Sequence, residues 1–205
     1  MSDGGAKPEL LILASASPTR LRLLRDAGVA VIVDPPGLDE AAIKQEYRAT
    51  DRDAGACALA LAEAKARLVA DRHPGALVLG ADQILVAEER WFDKPADLDE
   101  ARAHLFALRG RTHSLATAAC VVRSGARLWH AISRPTLMMR SFGTSFLDDY
   151  IATEGEDLLG SVGAYRLEGR GVQLFARVEG DHHAILGLPL LPLLDFLRVQ
   201  GVLAA

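Results

Sequence analysis

Residues 10–28 read L-L-I-L-A-S-A-S-P-T-R-L-R-L-L-R-D-A-G. The apolar run at 10–14 is what a strand buried on both faces requires. Ser17 is an N-cap residue type. Pro18 takes the first helical position, where its missing N–H costs nothing. Leu21, Leu24 and Ala27 then recur at helical spacing, and Gly28 supplies a C-terminal stop. The unit is strand, tight loop, helix. It aims unpaired backbone N–H groups and the positive end of a helix dipole at a loop holding Ser15 and Ser17, with Arg20 in the first helical turn. Such a loop suits a phosphate. A capped amphipathic helix behind a buried strand has the same pattern, so these residues alone leave the two readings even. The loop has neither the Gly-rich, lysine-bearing P-loop signature nor a dinucleotide-type glycine pattern.

The chain has 205 residues, enough for one large domain or two small lobes. Half of it is apolar but only 5% is aromatic, so the core is built mainly of Leu, Ala and Val. The net charge of −4 gives no basic excess for polymeric nucleic acid, although one nucleotide can bind a local basic pocket. No apolar run approaches membrane-spanning length, and residues 1–9 read as a loose tail without a hydrophobic signal core. Cys57 and Cys120 are too far apart for a zinc motif or a disulfide framework. Buried free thiols in a reducing cytoplasm are expected.

Along the chain, residues 29–33 form a second β-branched strand, ended by Asp34-Pro35-Pro36-Gly37. Leu38-Asp39-Glu40 opens a polar stretch to residue 53 that reads as a mobile loop with a helical turn. A carboxylate there can reach a cleft, though a solvated acidic turn is the commoner case. Residues 54–72 are an Ala-rich helix with Leu59, Ala62, Ala66 and Val69 on one stripe. Lys65 lies among small residues and would ordinarily be exposed. Residues 76–80 are a strand with Asp82 at its carboxyl end, where open α/β sheets bind ligands. Residues 84–92 read as a hairpin, after which Asp93-Lys94-Pro95 returns Lys94 toward Asp82.

Asp97 to Glu100 resembles a capping box ahead of a helix striped by Ala101, Leu105 and Leu108. Residues 112–123 and 127–140 form two strands, the second broken by Pro135. Thr144 or Ser145 caps a helix to about Thr153. A Gly-rich loop at 154–163, a turn at 165–171, a strand at 172–178 and a helix at 191–200 follow. His182 and His183 are read as polar loop residues. Residues 186–203 are apolar and serve as core or as a homodimer surface, with core favoured by the helical stripe. The expected fold is α/β: a single domain over 10–205 with a mixed, twisted sheet flanked by helices.

The ordered set L-A-S-A-S-P-T-R (13–20), L-D-E (38–40), A-E-A-K-A (62–66), L-G-A-D-Q (79–83), D-K-P (93–95), Glu100-Ala101, G-R-T-H (110–113), G-A-Y-R-L-E-G (163–169), and E-G-D with G-L-P-L (179–190) resembles the Maf-like nucleotide pyrophosphatases, also called septum-formation-inhibitor-like proteins. The resemblance spans 10 to about 197. It implies an elongated mixed α/β sheet with a central cleft and the hydrolysis of nucleoside triphosphates to monophosphate and diphosphate with Mg²⁺ or Mn²⁺. By position, the proton acceptor falls on Asp82 and the phosphate loop on Ser15, Ser17 and Arg20. Further cleft groups fall on Glu40, Lys65 and Lys94. Arg20, Lys65 and Lys94 would neutralise a triphosphate, and Glu40 and Asp82 would hold the hard cation.

Three positions depart from the common family pattern. Thr19 stands for Arg, Gln83 for Thr and Glu168 for Gln. The Gln83 and Glu168 pair resembles the branch that acts on 7-methyl-GTP, although that branch often has an aromatic at position 19. A carboxylate can accept hydrogen bonds from guanine N1–H and the 2-amino group, and it favours the positive charge of a methylated base. A broader substrate range is the alternative on specificity. The other readings are a non-catalytic nucleotide-binding regulator of cell division or septum formation, and a nucleotidase that cleaves the γ-phosphate or acts on inosine triphosphate.

Overall fold

The computed structural model describes residues 10–50 and 53–204. The tail expected at 1–9 lies outside the described residues. Eight strands form one sheet: β1 (Leu11–Ala14), β2 (Val31–Val33), β3 (Leu77–Ala87), β4 (Arg90–Phe92), β5 (Thr112–Arg123), β6 (Ala126–Ser133), β7 (Thr136–Met139) and β8 (Phe175–Glu179). The helices are α1 (Pro18–Asp26), α2 (Ala41–Ala49), α3 (Ala54–Ala70), α4 (Leu98–Leu108), α5 (Thr144–Glu154), α6 (His182–Ile185) and α7 (Leu190–Val199). The main path of the sheet runs β2-β1-β3-β5-β7-β8, with β4 on β3 and β6 on β5. β1 pairs in parallel with β2 and β3, and every other pair is antiparallel. The mixed α/β class expected from the sequence is the class observed.

β3 is the spine. Leu77–Gly80 pairs with β1, and Leu85–Ala87 pairs with β4. Both neighbours lie on the edge of β3 opposite β5, which pairs with it from Val78 to Val86. The segment 81–84 therefore has no strand beside it on the β1 side, and the chain leaving β1 enters the 15–17 loop at this gap. A crevice opens there for a topological reason, beyond the carboxyl end of a parallel strand.

The two faces of β3 are covered differently. Val78 packs with Ala62 and Ala66 of α3, while Ile84 packs with Ala58 and Leu61 of the same helix. Leu77, Leu79 and Ala81 face α1 and α7 through Leu24, Leu193 and Leu197. A third cluster joins Leu105 and Leu108 of α4 to Leu147 and Tyr150 of α5 and to Leu85, Leu115 and Tyr165. Cys57 and Cys120 are buried free thiols. The apolar C-terminal segment is core along Leu190, Leu193 and Leu197, with Leu191 and Val199 on its exposed side.

Local chemistry explains most boundaries. Ser17 caps α1 by accepting from Arg20 N, with Pro18 in its first turn. Asp97 caps α4 by accepting from Glu100 N, and the Glu100 carboxylate reaches back to Ala96 N. The strand break at Pro135 separates β6 from β7, which pair with successive stretches of β5.

The structure corrects six expectations. The polar stretch after Glu40 holds the nine-residue helix α2, which with Leu38 ahead of it lays Ile43 and Tyr47 on the Cys57–Leu61 surface of α3. Asp82 lies inside β3 and not at its end, because β5 carries the strand past the last residue of β1. Neither Thr144 nor Ser145 caps α5. Gly143 holds the N-cap position and no side chain bonds there. The loop at 154–163 is wound into 3-10 turns. Residues 170–174 form another 3-10 turn, so the last strand begins at Phe175. His182 and His183 open the short helix α6, where Asp181 caps by accepting from His183 N.

His113, in β5, is buried, and its Nε2 lies 2.9 Å from the Tyr165 hydroxyl. Burial pushes its pKa down to about 4. Its ordinary value is higher, so the unfolded chain takes up this proton first as pH falls. The loss of stability should begin below about pH 6.5, reach about 3 kcal/mol near pH 4 and level off there. Denaturant titrations across pH 7 to 4 should show a shallower decline for His113→Gln than for the wild-type chain.

Candidate active site

On the α3 face of β3, Val78, Gly80, Asp82 and Ile84 alternate. The stripe of α3 above them is mostly alanine, so the helix backbone lies very close to the strand. A Cβ on Gly80 would overlap the Ala62 carbonyl oxygen and come within 3.0 Å of the Ala66 Cβ. This close approach lets Lys65, one turn along α3, reach down to the strand. Its Nζ lies 2.5 Å from Asp82 Oδ1, with both side chains buried. The same Nζ lies 2.6 Å from Glu40 Oε1, at the start of α2. Lys65 was expected to be exposed from its immediate neighbours alone. It is the buried bridge between the two carboxylates.

Asp82 Oδ2 is buried and accepts no hydrogen bond. A buried carboxylate oxygen without a donor is costly. Glu40 Oε2 lies 3.3 Å from Lys44 Nζ. Burial would raise the Glu40 pKa, but Lys65 and Lys44 outweigh it and hold the carboxyl below its usual range. Two carboxylates, one of them with an oxygen left unpartnered, are a hard donor set that fits Mg²⁺ or Mn²⁺. Among the described residues no third acidic, His or Cys side chain joins them. The remaining ligands would be water and phosphate oxygens, the usual habit of Mg²⁺.

The 15–20 loop, the expected phosphate loop, is held by its own side chains. Ser15 Oγ accepts from Ser17 N at 3.2 Å and from Arg20 Nη1 at 3.2 Å. Arg20 Nε donates to the Gly187 carbonyl at 2.9 Å. At Gly187 φ is +107°, a backbone state that side chains disfavour, and it turns this carbonyl toward the guanidinium. Arg20 is thereby fixed at two points, with donors left over. Lys94 lines the same cleft. Burial and the nearby Arg20 lower its pKa, against the pull of Glu40.

These groups line one cleft of about 1730 Å³, roomy enough for a nucleotide with its metal and water. Ser15, Ser17, Thr19, Arg20, Glu40, Lys65, Asp82, Gln83, Lys94 and Glu168 all contribute to it. Gln83 points to the opposite sheet face from Asp82. Its Nε2 donates to Thr117 Oγ1 at 2.8 Å and approaches the carbonyls of Ala184 and Ile185 at 2.9 and 3.1 Å. With its N–H groups committed, Gln83 shapes the wall through α6 and offers a ligand only its amide oxygen. Glu168 stands at the rim, 3.2 Å from Arg22 Nη2 and 3.9 Å from Arg166 Nε. His182 and His183 do not line the cleft.

Sequence reasoning missed Lys44 and Arg48, which line the cleft from α2 and both bond Asp93. Their i,i+4 spacing was the available signal, and it is informative only on a helix. Arg22 was missed because its partner Glu168 is 146 residues away.

A profile of the family described as Maf-like protein matches residues 10–200. The chain is 52% identical over 193 residues to a nucleoside triphosphate pyrophosphatase of Rhodospirillum rubrum, covering 94% of this chain and 96% of that one. It is 53% identical to a nucleoside triphosphate pyrophosphatase of Paramagnetospirillum magneticum, covering 94% and 99%. It is 47% identical to a 7-methyl-GTP pyrophosphatase of Mesorhizobium japonicum, covering 95% and 98%.

The close packing at Gly80 yields a direct expectation. Gly80→Ala should destabilise the fold by about 1–3 kcal/mol, the usual range for overpacking. It should also lower turnover well beyond what the lost folded fraction explains, since Lys65 moves away from Asp82. Denaturant unfolding and turnover of the folded protein, compared side by side, check this.

Proposed function

This chain belongs to the Maf-like protein family, and we propose that it hydrolyses nucleoside triphosphates to the monophosphate and diphosphate. The observation that carries the reading is the buried Lys65–Asp82 pair beneath a phosphate loop, with one Asp82 oxygen left unpartnered. The names of the relatives support the same reaction class. No observation favours a non-catalytic regulator.

The chemistry follows from the residue types. The triphosphate lies with its phosphates against the Ser15–Arg20 loop, where the N-terminus of α1 and the anchored guanidinium counter its charge. Asp82 Oδ2 accepts a proton from water as the water oxygen attacks the α-phosphorus. The bond from that phosphorus to the bridging oxygen breaks, and the electron pair leaves with the diphosphate. Lys65 orients Asp82, and Lys94 offsets charge that builds on the phosphoryl oxygens. Glu40 and Asp82 would hold Mg²⁺ or Mn²⁺, which when bound polarises the phosphoryl group and acidifies water. The buried thiols of Cys57 and Cys120 fit a reducing cytoplasm.

On substrate, the reading is a preference for 7-methyl-GTP. Glu168 at the rim is the acceptor for the guanine N1–H and 2-amino edge. Gln83 sets the opposite wall, and Thr19 leaves room where a larger residue is common in the family. Relatives bearing both substrate names share about half their residues with this chain.

The test is turnover of 7-methyl-GTP, GTP, dTTP, UTP, CTP and ITP with Mg²⁺ or Mn²⁺, with products identified. Monophosphate and diphosphate, fastest from 7-methyl-GTP, is the expected result. Orthophosphate release, or nucleotide binding without turnover, overturns the reaction. A preference for dTTP or UTP overturns the base assignment alone. Asp82→Asn should lower kcat by about 10²–10⁴-fold with the fold intact.

A further inference from the structure

The cleft carries a second set of cations that the phosphate loop does not use. Lys44 and Arg48 lie one turn apart on α2, facing the cleft. Lys44 Nζ lies 2.9 Å from Asp93 Oδ1 and 3.3 Å from Glu40 Oε2. Arg48 Nη2 lies 2.8 Å from Asp93 Oδ2, and its guanidinium sits over the Trp91 ring, 5.4 Å from the centroid. One carboxylate thus takes one cation on each oxygen, bridging α2 to the segment that follows β4. α2 itself buries no residue fully. It is held by side chains laid on α3 and by these ionic contacts.

Charge counting gives this set a purpose. Around the phosphate end of the cleft stand five cations, Arg20, Lys44, Arg48, Lys65 and Lys94, against three carboxylates, Glu40, Asp82 and Asp93. The excess of two positive charges, with one divalent cation, balances the roughly four negative charges of a bound triphosphate. Without Lys44 and Arg48 the same end has no excess at all. Position agrees with charge. Glu168 and its partners Arg22 and Arg166 form one network, and Asp93 with Lys44 and Arg48 forms another. With the base on the Glu168 side and the α-phosphorus at Asp82, the two departing phosphates extend toward α2.

We infer that Lys44 and Arg48 form a clamp for the diphosphate half of the substrate, with Asp93 as the resting counter-ion that the diphosphate displaces. The inference rests on the reading of this cleft as a nucleoside triphosphate pyrophosphatase site. Asp93 copies the leaving group: two oxygens, each taking one cation. Diphosphate offers the same two contacts with more charge, and Arg48 can bond it bidentately. Asp93 then serves a second end, since its return to the two cations helps expel the diphosphate after cleavage.

Equilibrium binding of inorganic diphosphate, with Mg²⁺, separates this role from a structural one. The monophosphate of the nucleotide that is turned over fastest is the second probe. The Lys44→Met, Arg48→Met double variant should bind diphosphate about a hundredfold more weakly, roughly tenfold for each charge-assisted contact. Its monophosphate affinity should stay within about twofold of wild type. Asp93→Asn, by removing the competitor, should tighten diphosphate binding severalfold. If Asp93 only ties α2 down, the same variant should weaken it, and that result overturns the clamp. Unchanged diphosphate affinity in the double variant, or equal weakening of both probes, also overturns it. Thermal melts verify that each variant is folded, and if the double variant is not, Asp93→Asn decides alone. A wild-type enzyme that releases no diphosphate from any triphosphate refutes the parent reading instead, so the two failures are distinguishable.

Discussion

The close contact between α3 and β3 is the constraint on which the rest depends. Only an alanine-lined helix over a glycine can bring the two backbones so near, and only at that separation does Lys65 meet Asp82. The resulting pair is buried, and a buried ion pair is weak evidence for stability, because desolvation offsets much of the attraction. Leaving Asp82 Oδ2 without a donor adds to the cost. A chain selected for stability alone would place apolar residues there. The pair therefore reads as a reactive arrangement that the surrounding Leu, Val and Ala packing is strong enough to hold.

The cleft follows from strand pairing. β1 stops at Ala14 and β4 begins beside Leu85, so one edge of β3 is open for the few residues between. Asp82 lies in that opening, and the loop leaving β1 lies next to it. Antiparallel pairing to β5 keeps the open stretch of β3 straight and buried on its other edge. Asp82 thus stands on a central strand, while the 15–20 loop, α2 and the 155–168 turns approach it from separate parts of the chain. Charges converge from all of them. Carboxylates near Lys65 and cations near Asp93 pair with one another, which keeps so highly charged a cleft from self-repulsion.

Much of this was legible in the residues. The unit at 10–28, with Ser17 as cap and Arg20 in the first turn, is local chemistry, and the structure has the Ser17 cap on Arg20 N. Hairpin and capping signals at 84–100 were equally readable. The misreadings share one cause. The stretch after Glu40 lacks a buried stripe, so its helicity depends on Leu38, Ile43 and Tyr47 finding the surface of α3, a partner invisible to periodicity. Lys65 looked like a surface lysine because its partners, Asp82 and Glu40, lie on other elements.

The sequence by itself determined most of the element types, the caps of α1 and α4, the apolar stripes and the identity of the polar groups in the cleft, because each depends on neighbours within one or two helical turns. Tertiary structure alone decided how those groups meet. The approach of α3 to Gly80, the gap beside Ala81–Ile84, the anchoring of Arg20 on the Gly187 carbonyl and the sharing of Asp93 by Lys44 and Arg48 all join residues far apart in the chain. Such contacts are set by the close packing of whole layers, and no local window of sequence contains them.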